Sequence, residues 1–251
     1  MNQAEVIKFC DQLLKIQEFK DYCPNGMEVE GDGREVRLVA LGVSLTSELI
    51  EQALDLGAEL MITHHGILWD GNDPRVVGPF ARKLRSLLVS GVAAASYHLP
   101  LDYHPQLGNN AQLAEALGMQ DLEWVLGDSG RPMLLMGRPA YNQKQSLTER
   151  LTETLGRAPV WLDFGPKQIE RLAICSGGAQ KYFEAAVAAG AQAYLTGEGS
   201  EFNFGQAQDA GAHYIAAGHY ATETLGIKAL GAYLEQELGL KTQFLQTANP
   251  L

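Results

Sequence analysis

Two adjacent histidines, His64 and His65, follow an apolar stretch and directly precede a glycine. Neighbouring side chains of a strand point to opposite faces, so adjacent histidines rarely bind one ion from within a strand. At a strand end, where Gly66 frees the backbone, they can instead bind two ions that lie close together. Paired metal ions typically lie ~3.5–4 Å apart. The double histidine therefore predicts a site for two metal ions.

A second histidine-rich stretch, "YHLPLDYHPQLGNN", follows another predicted strand and carries His98, Asp102 and His104. Pro100 and Pro105 predict that it forms an ordered loop rather than a helix. Asp102 offers a hard oxygen ligand, whereas the histidines offer borderline nitrogen ligands. We therefore expect this loop to contribute to the same kind of site.

The third motif, "GHYATE", places His219 four residues before Glu223. We expect Glu223 in the first turn of a helix, where the helix dipole favours a carboxylate, and His219 in the loop before it. His213, at the start of a strand, is interpreted as structural. We expect no cysteine to approach this set, which excludes a thiolate site, and nitrogen and carboxylate donors together favour Zn, Fe, Mn or Co over Ca or Mg alone.

The sequence around these residues alternates between strand and helix patterns. This alternation predicts an α/β fold with mainly parallel sheets flanked by helices. The chain also repeats itself: "LIEQALDLGAELMITHHG" aligns with "YFEAAVAAGAQAYLTGEG", so that Glu198 falls on His65. The alternative is that any two βαβ units look alike. We predict two similar α/β halves, 1–125 and 126–251, with a C-terminal helix and strand that could pack back on the first half.

Composition excludes several classes of protein. No apolar stretch approaches the ~18 residues of a membrane span, and the beginning of the chain resembles an amphipathic helix rather than a signal peptide. Three scattered cysteines favour the reducing cytoplasm. The net charge of −11 weighs against a partner nucleic acid and leaves a small molecule as the expected partner.

The motifs "MITHHG", "YHLPLDYHPQLGNN", "TGEGSE" and "GHYATETLG", together with "DYCPNGMEVEG" near the beginning, occur in an order that resembles the NGG-one-interacting-factor-three-like family. Its members are also described as GTP cyclohydrolase type two homologues or dinuclear-metal-centre proteins. The resemblance covers nearly the whole chain. It implies a two-domain α/β subunit, two metal ions in a cleft between the domains, and a homo-oligomer in the form of a toroidal hexamer.

By match of motif, the resemblance assigns five metal ligands, which are His64, His65, Asp102, His219 and Glu223. His98 fits the motif too and is placed beside the ligands, as a candidate catalytic residue with a supporting role. The repeat makes Glu198 the other candidate catalytic residue, either as a proton acceptor or as a partner that orients a ligand histidine. The alternative for Glu198 is a surface glutamate in a glycine-rich turn.

Three hypotheses for function follow. The first is a metal-dependent hydrolase of a nucleotide or related small molecule, as the GTP cyclohydrolase name implies. The second is a metal-binding assembly or regulatory protein without turnover. The third is a ring-shaped factor in DNA repair, against which the acidic net charge weighs. Assay of metal-dependent turnover across nucleotides separates the first from the second.

Overall fold

The computed structural model describes residues 1–127 and 132–251. The chain forms two compact units, and the first is built from two segments, Met1–Gly108 and Gly226–Ala248. The second unit contains Asn109–Leu225 and the last three residues. The division therefore falls after Gly108 rather than at the predicted position after residue 125, because the helix that follows Gly108 packs into the core of the second unit.

The strands, in chain order, are β1 (Gly26–Val29), β2 (Leu38–Ser44), β3 (Leu60–His65), β4 (Ala93–Ser96), β5 (Gln120–Leu126), β6 (Pro132–Arg138), β7 (Val160–Leu162), β8 (Leu172–Cys175), β9 (Ala193–Thr196), β10 (His213–Ala216) and β11 (Lys241–Phe244). The α-helices are α1 (Gln3–Leu13), α2 (Ser47–Asp55), α3 (Gly78–Ser90), α4 (Leu99–Asp102), α5 (Asn109–Ala116), α6 (Lys144–Leu155), α7 (Phe183–Ala188), α8 (Glu201–Ala210), α9 (His219–Thr222) and α10 (Thr224–Leu238). Across the described ranges, none of these helices has the length and apolar character needed to cross a membrane.

The first unit contains a five-stranded sheet in the order β1-β4-β3-β2-β11. Only the β1–β4 pair is antiparallel, and the other three pairs are parallel. Strand β2, "LVALGVS", is apolar throughout because both faces of the sheet are covered. Helices α1 and α10 pack on one face, while α2 and α3 pack on the other.

The second unit contains a six-stranded sheet in the order β5-β6-β8-β9-β10-β7. Its centre, β8-β9-β10, is parallel, whereas β5, β6 and β7 pair antiparallel to their neighbours. The predicted α/β class with two sheets flanked by helices is confirmed, and the similar halves are consistent with it, since each sheet has at least three parallel strands at its centre. In the described part of the second sheet, parallel pairing is confined to that centre.

Two local predictions around the site motifs are wrong. Pro100 does not prevent a helix, because it lies in the first turn of α4, where its missing N–H group is not needed. His219 is the first residue of α9 rather than part of a loop, and Glu223 caps the end of that helix before α10 begins. In each unit a short helix after a strand therefore carries one candidate ligand, Asp102 at the end of α4 and His219 at the start of α9.

Candidate functional site

The first unit brings together His64, His65, His98 and Asp102, which we call the first group. Each of the three histidines offers a ring nitrogen within 4.8 Å of the others. Strand β3 ends at His65, and β4 is followed directly by Tyr97 and His98. Because β3 and β4 are parallel neighbours, their carboxyl ends meet at one edge of the sheet.

His64 is fully buried, and the backbone carbonyl of Tyr97 orients its ring. Its Nδ1 donates to the carbonyl oxygen of Tyr97 at 2.9 Å, which leaves Nε2 as the nitrogen with a lone pair. Nε2 lies 3.6 Å from Oδ1 of Asp102. Two ligands ~2.1 Å from a tetrahedral ion are separated by about 3.4 Å, so this spacing suits a shared metal ion.

His65 and His98 complete the first group with rings that are only partly buried. Nδ1 of His65 lies 3.1 Å from Oγ of Ser44, while Nδ1 of His98 lies 2.7 Å from Oδ1 of Asp21. The ring centroids of His65 and His98 are 5.6 Å apart. A carboxylate on the outer nitrogen of a histidine is the usual support for metal-binding imidazoles.

Asp21, which the sequence did not single out, holds His98 in place. Its other oxygen accepts hydrogen bonds from the backbone N–H of Leu99 and the side chain of Asn25, both at 2.9 Å. Burial raises the pKa of Asp21, but the hydrogen bond and charge of His98 and the bond from Asn25 outweigh burial and lower it. Asp21 is therefore a carboxylate at neutral pH and a fixed acceptor for His98.

Cys23 lies beside this pair, contrary to the expectation that no cysteine approaches the site. Its sulfur is within 4.8 Å of ligand atoms of Asp21 and His98. Burial, followed by the nearby carboxylates, raises the pKa of the Cys23 thiol to about 12. Without a metal ion the Cys23 thiol is therefore protonated at neutral pH, and it lies beside Asp21 and His98 rather than beside His64, His65 or Asp102.

Glu28 shapes the loop that follows the double histidine. Its carboxylate accepts hydrogen bonds from the backbone N–H of Ile67 at 2.7 Å and from Oγ of Ser96 at 3.0 Å. A Cβ atom at Gly66 would overlap this carboxylate, so a larger residue there would displace Glu28 from its hydrogen bonds. Glu28 thereby links β1 to the ends of β3 and β4, and Asp21 and Glu28 both lie in the quoted motif "DYCPNGMEVEG".

The second unit brings together Glu198, His219 and Glu223, which we call the second group. Nδ1 of His219 lies 2.5 Å from Oε1 of Glu198, and Nε2 lies 3.2 Å from Oε1 of Glu223. Glu198 is in turn held by Nε2 of Gln180, which donates to its other oxygen at 2.7 Å. Both ring nitrogens of His219 therefore face carboxylates.

This arrangement requires a positive charge between His219 and Glu223. Burial lowers the pKa of His219, but the hydrogen bonds and charges of Glu223 and Glu198 outweigh it and raise the pKa to about 9. Without a cation, a proton on the ring must separate Nε2 from the buried Glu223 carboxylate. A divalent ion can replace that proton, so the donor set fits a metal.

Gly177 allows the second group to form. It has a positive φ of 68°, and a Cβ atom there would overlap Oε1 of Glu223 and lie 3.3 Å from Nε2 of His219. Its N–H donates to Oγ1 of Thr222 at 3.0 Å. The backbone at Gly177 therefore lies so close to the two candidate ligands that it leaves no room for a side chain.

The remaining two histidines are engaged elsewhere. Nδ1 of His104 accepts the N–H groups of Gln106 and Leu107, and burial lowers its pKa. His213, as interpreted from the sequence, has a structural environment: Nε2 donates to the carbonyl of Pro166 at 2.8 Å. Neither ring is part of the first or the second group.

Comparison with known proteins gives the same family along the whole chain. Residues 1–250 match the family described as Duf34/NIF3 (NGG1p interacting factor 3). A Pseudomonas aeruginosa protein named "GTP cyclohydrolase 1 type 2 homolog" is 40% identical over 248 residues, which cover 98% of each chain. Among solved structures, the protein ybgI, of unknown function, has a TM-score of 0.94 at 36% identity, and TTHA1606 from Thermus thermophilus has 0.89 at 33%, each with both chains fully covered. The chain therefore belongs to the DUF34/NIF3 family.

Proposed function

We propose that this protein binds two divalent transition-metal ions per chain and hydrolyses a nucleotide or a related small molecule. The proposed ligands are His64, His65 and Asp102 of the first group and His219 and Glu223 of the second. One observation supports this most directly. One ring nitrogen of His219 faces Glu198, while the other lies 3.2 Å from the buried Glu223 carboxylate, a spacing that suits two ligands of one ion.

The metal pair, when bound, supplies Lewis-acid activation of water and polarisation of a substrate oxygen. The protein's own residues orient the ligands. Glu198 fixes the ring plane of His219, and Gln180 fixes Glu198. Asp21 does the same for His98, whose partly exposed ring stands beside His64 and His65. Candidate ion identities remain Zn, Fe, Mn and Co, since the donors are nitrogen and oxygen.

The proposed substrate class follows from the relatives. The Pseudomonas aeruginosa relative is named as a GTP cyclohydrolase homologue, so GTP is the first nucleotide to test. We further propose that the protein works in the cytoplasm, where its three buried free cysteines stay reduced.

Turnover assays test the hydrolase. Protein stripped with a chelator and reconstituted separately with Zn, Mn, Fe or Co is incubated with GTP and a panel of other nucleotides. We expect turnover in at least one reconstituted form and none after stripping. Protein that holds two ions and converts no nucleotide would contradict the hydrolase and support the metal-binding protein without turnover.

The protein is also proposed to assemble as a homo-oligomer, with the hexamer implied by the family resemblance. Val76 and Val77, just before α3, and Leu88 and Val89, near its end, expose 58% or more of their surface, and contact with a second copy would cover such apolar side chains. Light scattering at micromolar concentration is expected to give a multiple of the 27.3 kDa chain mass. A 27 kDa species would contradict this prediction.

Glu198→Gln tests the link between Glu198 and His219. Glutamine is similar in size but loses the negative charge that orients and polarises the Nδ1–H of His219. We expect metal retention to weaken ~10-fold or more if Glu198 acts through His219. We expect turnover to fall ~100-fold if Glu198 is itself a proton acceptor.

Glu201→Gln is the matched control, because Glu201 is exposed at the start of α8. Metal content is measured after dialysis against graded chelator, and turnover on the substrate that the panel identifies. A Glu198→Gln protein that equals wild type in both measurements would show that Glu198 is only a turn residue.

A further inference from the structure

We propose that a cavity beside the first group binds the base of a purine-type ligand, with Trp69 as its stacking surface. This deepens the proposed function and rests on it for the reaction, but binding can be measured without turnover. The cavity has a volume of ≈ 590 Å³, within the usual range for small-molecule sites. It lies within the first unit, between the loop after β3 and the beginning of α3.

Trp69 connects the cavity to the candidate metal ligands. Its ring centroid lies 5.7 Å from that of His65 and 5.2 Å from that of His98, which it meets edge-on. Nε1 of Trp69 donates to the carbonyl oxygen of Gly66 at 3.3 Å and fixes the ring against the β3 end. Trp69 therefore contacts both the cavity and these histidines.

The walls of the cavity suit a flat, uncharged ring. Trp69 and Phe80 supply aromatic faces, and Pro24 and Pro79 supply rigid apolar edges. Aromatic side chains stack on any nucleobase, because every base has a π-face. Proline and aromatic side chains also lose little conformational freedom when a ligand binds.

The polar groups of the cavity select a ring with N–H donors at its edge. Asp70 and Asn72 line the cavity and offer oxygen acceptors, whereas Asp73 is paired with Arg75. Lys83 is partly buried, and its Nζ donates to the carbonyl oxygen of Leu45 at 3.1 Å. The Asp70 carboxylate can accept hydrogen bonds from a base that carries an amino group, as guanine does.

Nucleoside binding tests this proposal without phosphate and without turnover. Guanosine, and purine riboside as an analogue without the amino and oxo groups, are titrated into metal-loaded protein by calorimetry. We expect guanosine to bind about tenfold more weakly to Trp69→Ala, in keeping with the loss of one stacking contact. Trp69→Phe should recover most of the affinity. Phe204→Ala, which removes an exposed aromatic side chain of the second unit, should bind as wild type does.

Asp70→Asn provides a second variant that leaves the Trp69 contacts intact. It should reduce the preference for guanosine over purine riboside while purine riboside binding stays unchanged. Metal content, measured by elemental analysis, should be equal in all variants. The proposal would be overturned if guanosine did not bind wild type, or if it bound Trp69→Ala with wild-type affinity.

The outcomes also separate this proposal from the hydrolase. Wild type that binds guanosine through Trp69 but converts no nucleotide would support the cavity and contradict the hydrolase. Metal-dependent turnover that is accompanied by unaltered guanosine affinity in Trp69→Ala would support the hydrolase and contradict the cavity.

Discussion

His64→Ala is expected to reduce the metal content from two ions per chain towards one. The buried ring holds Nε2 at 3.6 Å from Asp102, and alanine leaves nothing in that position. His65 remains, so the ion that it serves should be affected less. Affinity for the ion bound by His64 should fall by more than ~100-fold. Loss of a residue that only supports a ligand already lowers metal affinity by up to ~100-fold, and loss of the ligand itself should cost more. Elemental analysis after dialysis against graded chelator measures both occupancies.

His104→Ala is the control for this experiment. It also removes a histidine from the first unit, but His104 binds backbone N–H groups of its own loop. The control should keep both ions even if its unfolding midpoint falls. One ion or none in carefully reconstituted wild type would contradict the dinuclear site, and equal loss of both ions in His64→Ala would contradict separate roles for the two histidines.

Gly177→Ala is expected to abolish metal binding by the second group while the protein stays folded. The added Cβ overlaps Oε1 of Glu223 and crowds Nε2 of His219, so the carboxylate must move away from the imidazole. The positive φ of Gly177 adds a backbone cost of roughly 1–2 kcal/mol. We expect at most one ion per chain by elemental analysis and a modest decrease in thermal midpoint.

The adjacent residue offers a matched control. A Cβ at Gly178 would make an ordinary contact of 3.4 Å with Cε1 of His219. Gly178 does not have a positive φ, so alanine there carries no comparable strain. Gly178→Ala should therefore retain both ions. Two tightly held ions in Gly177→Ala would show that Glu223 is not a ligand in the position where the structure has it.

The sequence singled out the candidate ligand histidines because their signal is local. An apolar run followed by histidine and glycine marks a strand end, and parallel strands place such ends at one edge. The partners of these histidines gave no comparable signal. Asp21 meets His98 across 77 residues, and Glu28 meets Ile67 across 39. Such pairings depend on the register of β1 with β4, which composition and periodicity do not determine.

Glu198 was found by another route, through the internal repeat, which placed it in the position of His65. The structure puts it at hydrogen-bonding distance from His219, a contact that the repeat alone did not specify. The local chain conformation was predicted less well, since single helical turns such as α4 are too short to show periodicity. Strand β5 was also missed, because its "QDLEWVL" pattern is largely exposed and polar.

The interrupted first unit has a consequence for how the chain folds during translation. Strand β11 pairs with β2, and α10 covers the sheet, yet both are synthesised after the second unit. The segment Asn109–Leu225 can leave the ribosome and fold while the first unit still lacks two of its elements. Until β11 and α10 are synthesised, the β2 edge of the sheet and the face that α10 covers therefore stay exposed. Ribosome stalling before residue 226 should leave the first unit, and with it the double histidine, accessible to chaperones and proteases.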